Sequence, residues 1–517
     1  MISGYRNAWW DGKKRAIQLR TWDQDGNRVS YSVDFKPYLY VESAKGHARS
    51  IFGTKLERRD FASPYDRSQF VRTYGTKRFF GNLDTTQQFL IDTYQDKVGS
   101  PEFSAQPLRI IFYDIEVDPL PDGQFPVPEL AKAEINIITA WDSLAKKYYI
   151  FSKYPYHGSN LIENSTFIYC ENEYNLLLKF IKFWQALDYP DIVSGWNSNG
   201  FDFPYIRNRI MKVLGESMFL SLSPYGVVRE YLTVDKMQRE LTKYDVAGVS
   251  NLDYLDVYAK FKIVKQESYK LDFIAEQELG YGKVDYEGMT IYEFMSRNWD
   301  RFVEYNVRDV ELLVKLEEKL RYYQILRIVS NMACTNYDKG LTTIPITNGA
   351  LAIRARQRGE VLHTFVREES DDAKPGGFVF SNPGFHKDIV TVDATSLYPS
   401  IIMSNNISPE TKVGIVRWED DVDMYKGEKE DKLTIELANG QQYKLTRDKL
   451  QFLIKEKDLI LSANGCLFSQ KHEGIFPEFI RDVFSKRVDT KAQIKKLNKE
   501  NEKIENKLKK LKAKLAK

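Results

Sequence analysis

The spacing of apolar residues changes period several times along this chain, and each change predicts a different kind of element. Across residues 31–41 apolar and polar positions alternate in short stretches between charged turns, and residues 1–108 read as a β-rich domain. From Leu108 apolar strands are followed by helical periods, as in residues 108–117 and then 174–187, which is the patterning of an α/β region. It persists to about Tyr323. Residues 346–357 are helix-like, and Lys374-Pro375-Gly376-Gly377 forms a turn. Residues 389–392 predict a new strand that leads into Asp393, and residues 415–455 alternate again among charged loops. From about Pro477 to Lys517 no Gly or Pro interrupts a helical pattern, and Pro477 suits a first turn.

Within that last stretch Ile494, Leu497, Ile504, Leu508, Leu511 and Leu515 recur in steps of three, seven, four, three and four, with Asn501 in the gap. This is a heptad seam with one polar core position. Lysines greatly outnumber glutamates around it. Two readings stand: a solvated, lysine-rich helix that frays, or a helix whose seam meets a partner helix.

At 517 residues the chain exceeds one hydrophobic core, which stops growing at roughly 250–300 residues, so several domains are expected. The 32 Tyr and 30 Phe supply large core side chains. A net charge of +3 is small for this length and speaks neither for nor against nucleic acid. Cys170, Cys334 and Cys466 are far apart and lack metal-ligand spacing, as expected of small buried residues in a reducing compartment. The first residues are polar and aromatic, unlike a signal peptide, and no apolar run approaches the roughly 18–20 residues of a membrane span. The expectation is a soluble, intracellular protein without a membrane partner.

Four carboxylates stand out in the α/β region. Asp114 and Glu116, in Ile110-Ile111-Phe112-Tyr113-Asp114-Ile115-Glu116-Val117, are two apart in a strand and so share a face. Asp202 ends Asn197-Ser198-Asn199-Gly200-Phe201-Asp202. Asp309 follows Tyr305 by about one helical turn in Tyr305-Asn306-Val307-Arg308-Asp309. Hydrolysis of a phosphodiester by two hard cations needs several oxygen ligands and open positions for substrate and water, and a tyrosine hydroxyl can orient that water. Each element alone is common; the ordered set is not.

Asp-Ile-Glu, Asn-x-x-x-Phe-Asp and Tyr-x-x-x-Asp, in this order, resemble the three proofreading exonuclease motifs of family B DNA polymerases, those of T-even-like bacteriophages above all. Ser268-Tyr269-Lys270-Leu271-Asp272 and Gly282-Lys283 also look like family segments, and Gly248-Val249-Ser250-Asn251-Leu252-Asp253 matches loosely. The resemblance implies an RNase H-like 3′–5′ exonuclease in an α/β multidomain chain. Asp114, Glu116, Asp202 and Asp309 would hold two Mg²⁺ or Mn²⁺ ions, Tyr305 would orient water, and Lys283 would sit near the scissile phosphate. The substrate would be a single-stranded or frayed DNA 3′ end. Phe201 would either stack on the terminal base or serve as plain core.

Asp393-Ala394-Thr395-Ser396-Leu397-Tyr398-Pro399-Ser400-Ile401-Ile402 is similar to the first palm motif of the same family. By that resemblance Asp393 binds both metals of a polymerase site. Backbone N–H groups around Ser396 and Leu397 cradle a dNTP triphosphate, and Tyr398 excludes a ribose hydroxyl. Arg487 and Lys491, one turn apart, resemble the basic pair on the first fingers helix. Gly376 and Gly377 would allow backbone approach to DNA phosphate, although Lys374 stands where the family usually has Tyr.

The family's second fingers helix, its Asp-Thr-Asp palm motif and its thumb have no counterpart in this sequence. The expected organisation is a first part of the N-terminal domain (1–108), an exonuclease domain (109–339), a returning N-terminal segment and linker (340–382), the first part of the palm (383–470) and the first fingers helix (471–517). The resemblance thus implies the N-terminal subunit of a split replicative polymerase, acting on primer-template DNA with a C-terminal polymerase subunit, in the cytoplasm of a bacterial host if phage-encoded. Alternatives are a free-standing exonuclease with a decayed or truncated polymerase region, and a non-catalytic nucleic-acid-binding repressor.

Overall fold

The computed structural model describes residues 4–74, 79–120, 125–234, 240–284, 288–364, 380–394, 396–418, 433–437 and 440–515. Two compact units divide the chain: one within residues 1–39, 59–74 and 82–353, the other within 40–58, 75–81 and 354–517. The boundary expected at residue 108 falls inside the first unit, and residues 1–108 are shared between the two. Among the described residues no helix is long and apolar enough to cross a membrane. Cys170 and Cys334 are buried and Cys466 is half-buried, all as free thiols.

At the centre of the first unit is a six-stranded mixed sheet in the order Ser165–Tyr169, Lys147–Ser152, Ile135–Asp142, Ile110–Val117, Ile192–Gly195, Ser250–Asp253. Ile135–Asp142 runs antiparallel to both neighbours, and the remaining pairings are parallel. The strand Ile110–Val117 explains how the sheet is covered, because its side chains alternate between faces. Ile111, Tyr113, Ile115 and Val117 enter one core with Leu176, Leu177, Phe180 and Ile181 of the helix Glu173–Ala186. That helix begins where Asn172 accepts the Asn175 N–H. Phe112 enters the opposite core, with Val303, Val310 and Leu313 of the helix Trp299–Leu320. Each such large apolar side chain contributes roughly 1.5–3 kcal/mol on burial. By parity Asp114 and Glu116 share the face of Phe112.

Pairing between Ile110–Val117 and Ile192–Gly195 stops at Phe112 and Ser194, whereas pairing with Ile135–Asp142 runs on to Val117. Beyond Phe112 one edge of the strand is therefore open. Gly195 lies where the strands part: a Cβ there would come within 2.8 Å of the Tyr113 carbonyl oxygen, so a larger residue would push the backbones apart.

A three-stranded antiparallel sheet, Tyr5–Asp11, Ala16–Trp22 and Arg28–Asp34, belongs to the same unit. Arg6 and Arg28 each reach Asp191 at 2.8 Å, with Arg20 beside them. Burial alone would raise the Asp191 carboxyl, but Arg6, Arg28 and Arg20 hold it down at about 2.

In the second unit Glu360–Val361 pairs in parallel with Ala48–Ser50. A five-stranded antiparallel sheet, in the order Gln442–Leu445, Leu433–Leu437, Lys412–Trp418, Cys466–Ser469, Leu459–Leu461, buries Val416, Leu433, Ile435 and Leu467 against Leu450 of the helix Arg447–Lys457. The helix expected from about Pro477 spans Ile475–Leu515, with Glu478 near its start paired to Arg354 at 2.6 Å. Ile494, Leu497, Ile504 and Leu508 of its seam face solvent, as does Asn501. The side chains of Leu511 and Leu515 lie outside the described residues.

The strand expected at residues 389–392 is not formed. These residues are irregular, with Val390 85% and Val392 89% exposed. A run apolar on consecutive positions needs sheet neighbours and cover on both faces, and among the described residues no strand pairs with it. Gly376, Gly377 and Thr395 lie outside the described residues.

Candidate active site

Two secondary-structure elements bring three carboxylates together. The strand Ile110–Val117 projects Asp114 and Glu116 from one face, and the helix Trp299–Leu320 presents Asp309 from its buried side. Carboxylate oxygens of these three residues all lie within 4.8 Å of one another, and they form the one such acidic group among the described residues. The fourth acid arrives from a loop. Asp202 opens the helix Asp202–Val213, where free N–H groups favour negative charge. Its Oδ1 accepts the Ile115 N–H at 3.2 Å, on the edge left open where the sheet parts.

Burial governs the electrostatics. Asp114 stands well above the usual carboxylate range, first through burial and then through Asp202, Asp309 and Glu116. Glu116 is pushed up to about 8 by burial and by Asp309. Burial takes Asp202 up to about 7, offset in part by the N–H groups it accepts and reinforced by Asp253 and Asp309. Asp309 is raised by burial and pulled back by Lys283. Like charges packed this closely resist simultaneous ionisation.

Positive charge enters from Lys283, whose Nζ donates to the Tyr305 hydroxyl at 3.0 Å and to Asp309 Oδ2 at 2.5 Å. Tyr305 is itself buried and hydrogen-bonds Asp309. Phe201 is half-buried, with its ring 5.3 Å from Tyr205 and 5.6 Å from Phe125, which is 73% exposed. It thus has both a core side and an aromatic neighbour at the surface.

Two residues that the motifs did not single out also belong here. Asn306 is fully buried and donates from Nδ2 to Asp114 Oδ2 at 2.7 Å. Asp253, at the end of the edge strand, accepts N–H groups of the loop leading to Asp202. Asn306 had a faint signal, an amide about one turn before Asp309 on the buried side of the helix; Asp253 had none beyond the loose segment match.

The donor set suits a hard divalent cation. Every ligand candidate is oxygen, and Asp309 Oδ1 is buried with no hydrogen-bond partner, an acceptor left for a cation to satisfy.

The residues around Asp393 are organised differently. Asp393 is exposed on irregular backbone. Ser396 adopts φ +53° just before the helix Leu397–Ser404, and Arg487 Nη1 donates to its Oγ at 3.2 Å. Tyr398, Arg487 and Lys491 are exposed, and Leu397 is half exposed. Arg487 and Ser396, 91 residues apart, are thereby brought together.

Residues 81–274 match the exonuclease domain of DNA polymerase family B, and residues 346–515 match DNA polymerase family B. The DNA-directed DNA polymerase of Escherichia phage RB69 is 28% identical over 501 residues, covering 91% of this chain and 52% of that protein. That of Enterobacteria phage T4 is 27% identical over 502 residues, with the same coverages. The DNA polymerase catalytic subunit of Psittacid herpesvirus 1 is 29% identical over 271 residues, 47% of this chain and 24% of the viral protein. The chain spans about half the length of the phage relatives it matches. With one family's matches falling on Asp114, Glu116 and Asp202 and on the segment of Ser396 and Arg487, this chain belongs to DNA polymerase family B.

Proposed function

We propose that this chain carries a 3′–5′ exonuclease that removes nucleotides from the 3′ end of single-stranded or frayed DNA. The observation that carries the reading is the convergence of Asp114, Glu116 and Asp309 within 4.8 Å, with Asp202 anchored to the same strand. Asp114, Glu116, Asp202 and Asp309 would hold two Mg²⁺ or Mn²⁺ ions. When bound, these ions supply charge neutralisation at the phosphoryl group and lower the pKa of water. Tyr305, held between the Lys283 ammonium and the Asp309 carboxylate, would orient the attacking water through its hydroxyl oxygen. Lys283 adds positive charge beside the phosphodiester as negative charge builds there. Phe201 and Phe125 offer stacking surface for the terminal base.

The second half of the proposal concerns synthesis. Asp393 would be one metal ligand of a polymerase site, with Ser396, Leu397 and Tyr398 lining the dNTP and Arg487 and Lys491 meeting its triphosphate. Gly376 and Gly377 would contact DNA. The remaining palm ligands, the second fingers helix and the thumb would come from a C-terminal polymerase subunit. The exposure of Ile494, Leu497, Ile504 and Leu508 along the helix Ile475–Leu515 supports this reading.

Asp114→Ala plus Glu116→Ala tests the first half: digestion of a 3′-labelled single strand should fall by at least about 10³-fold. Undiminished digestion by the double variant would sink the assignment.

A further inference from the structure

We infer that Asp253 is a positioning residue for the exonuclease site, seating the loop that delivers Asp202 without itself touching metal or DNA. The inference rests on the proposed role of Asp202 as a metal ligand. Asp253 closes the edge strand Ser250–Asp253, which runs parallel to Ile192–Gly195 with Asp253 opposite Gly195. It therefore stands beside the point where the neighbouring strand turns into the loop of residues 196–201. Its carboxylate is buried and makes three hydrogen bonds. Oδ1 accepts the Asn197 N–H at 2.9 Å and the Leu255 N–H at 2.9 Å, and Oδ2 accepts the Asn199 N–H at 3.0 Å.

One side chain thus caps the helix Tyr254–Phe261 and anchors two points of the loop. The loop needs anchoring. Asn197 sits at φ +59°, a left-handed conformation that costs an L-residue energy and persists where its surroundings hold it. From there Gly200 and Phe201 donate to the Asn197 carbonyl, and Phe203 donates to that of Ser198. This short chain of backbone bonds runs from the Asp253 anchor to the turn that starts at Asp202. Loss of the anchor would release Asp202 from the Ile115 N–H and from the other three acids. Outer-shell partners of this kind are worth about 10–100-fold in metal affinity or activity.

Two variants separate the two jobs of Asp253. Asp253→Asn keeps the shape but turns an amide N–H₂ toward a backbone N–H. Asp253→Ser retains a helix cap for Leu255 and is too short to bridge both loop amides, so it serves if the first variant does not fold. Mn²⁺ binding to the full-length chain would be followed by electron paramagnetic resonance, and exonuclease rate by Mn²⁺ titration. We expect both variants to weaken Mn²⁺ binding about 10–100-fold and to raise the half-saturating Mn²⁺, with the rate largely recovered at saturating metal. Asp256→Asn, on the same helix but off the loop, should leave both readouts unchanged. Folded Asp253 variants with wild-type Mn²⁺ affinity would overturn the inference. If Asp202→Asn also left Mn²⁺ binding unaltered, the failure would lie with the metal-site reading itself.

Discussion

A carboxylate buried among carboxylates resists ionisation, and the acidic site carries that cost whenever no cation is bound. Asp114, Glu116 and Asp202 all titrate in the folded chain above their ordinary values, Glu116 near 8 and Asp202 near 7. Protonation is therefore tighter folded than unfolded. The resulting destabilisation is absent below the ordinary carboxylate range and grows as pH rises from about 4 to about 8. Asp191 acts with the opposite sign: held down at about 2, it contributes stability that is lost only as pH falls from about 4 toward 2. The metal-free chain should therefore melt at higher temperature at pH 6 than at pH 8. Asp114→Asn should raise the melting temperature at pH 8 and flatten that dependence, measured in a chelator. The Asp114–Glu116 pair was legible in the sequence because a strand repeats every two residues, and Tyr305–Asp309 because a helix repeats every 3.6. Asn306 and Asp253 were legible only faintly, because each acts on a partner supplied by another segment, 192 residues away for Asn306 and Asp114.

At the scale of elements, sequence periods translate into structure where a segment finds its neighbours. Ile110–Val117 forms because strands flank it and helices cover both faces. Residues 389–392 have the same apolar character and stay irregular, because no described strand receives them. The helix Ile475–Leu515 forms with Ile494, Leu497, Ile504 and Leu508 of its seam exposed, since backbone hydrogen bonding within a helix is local. Leu497→Lys together with Ile504→Lys should therefore leave circular dichroism and the chain's own stability nearly unchanged, within about 0.5 kcal/mol per site. If the seam receives a partner helix, the same pair should weaken reconstituted primer extension by about tenfold or more, since buried anchors each cost more than about 1 kcal/mol. Wild-type extension by that variant would remove the seam from the interface.

For the whole molecule, the order of patterns along the chain made an α/β region between β-rich segments legible, but not which distant pieces share a sheet. Glu360–Val361 pairs with Ala48–Ser50 across about 310 residues, and no local period carries that information. Family membership likewise rested on motifs rather than on composition, because a net charge of +3 conceals where the charge lies. The chain alone, with Mg²⁺ and dNTPs, should shorten a primer and not extend it; extension should appear only when a protein bearing the other palm carboxylates and fingers helix is added. A gel-based assay of a labelled primer-template reads both directions at once, and unaided extension would refute the need for a second subunit.

The parting of the sheet beyond Phe112 gives the site a built-in gauge. Where the neighbouring strand turns away, a side chain takes up the hydrogen bond that a strand would otherwise have made: Asp202 on the Ile115 amide. That single N–H reports on the seating of one carboxylate with no DNA, metal or turnover required. Its exchange with solvent deuterium follows whether the loop is docked, so the readiness of the acidic site can be read from a proton that takes no part in its chemistry.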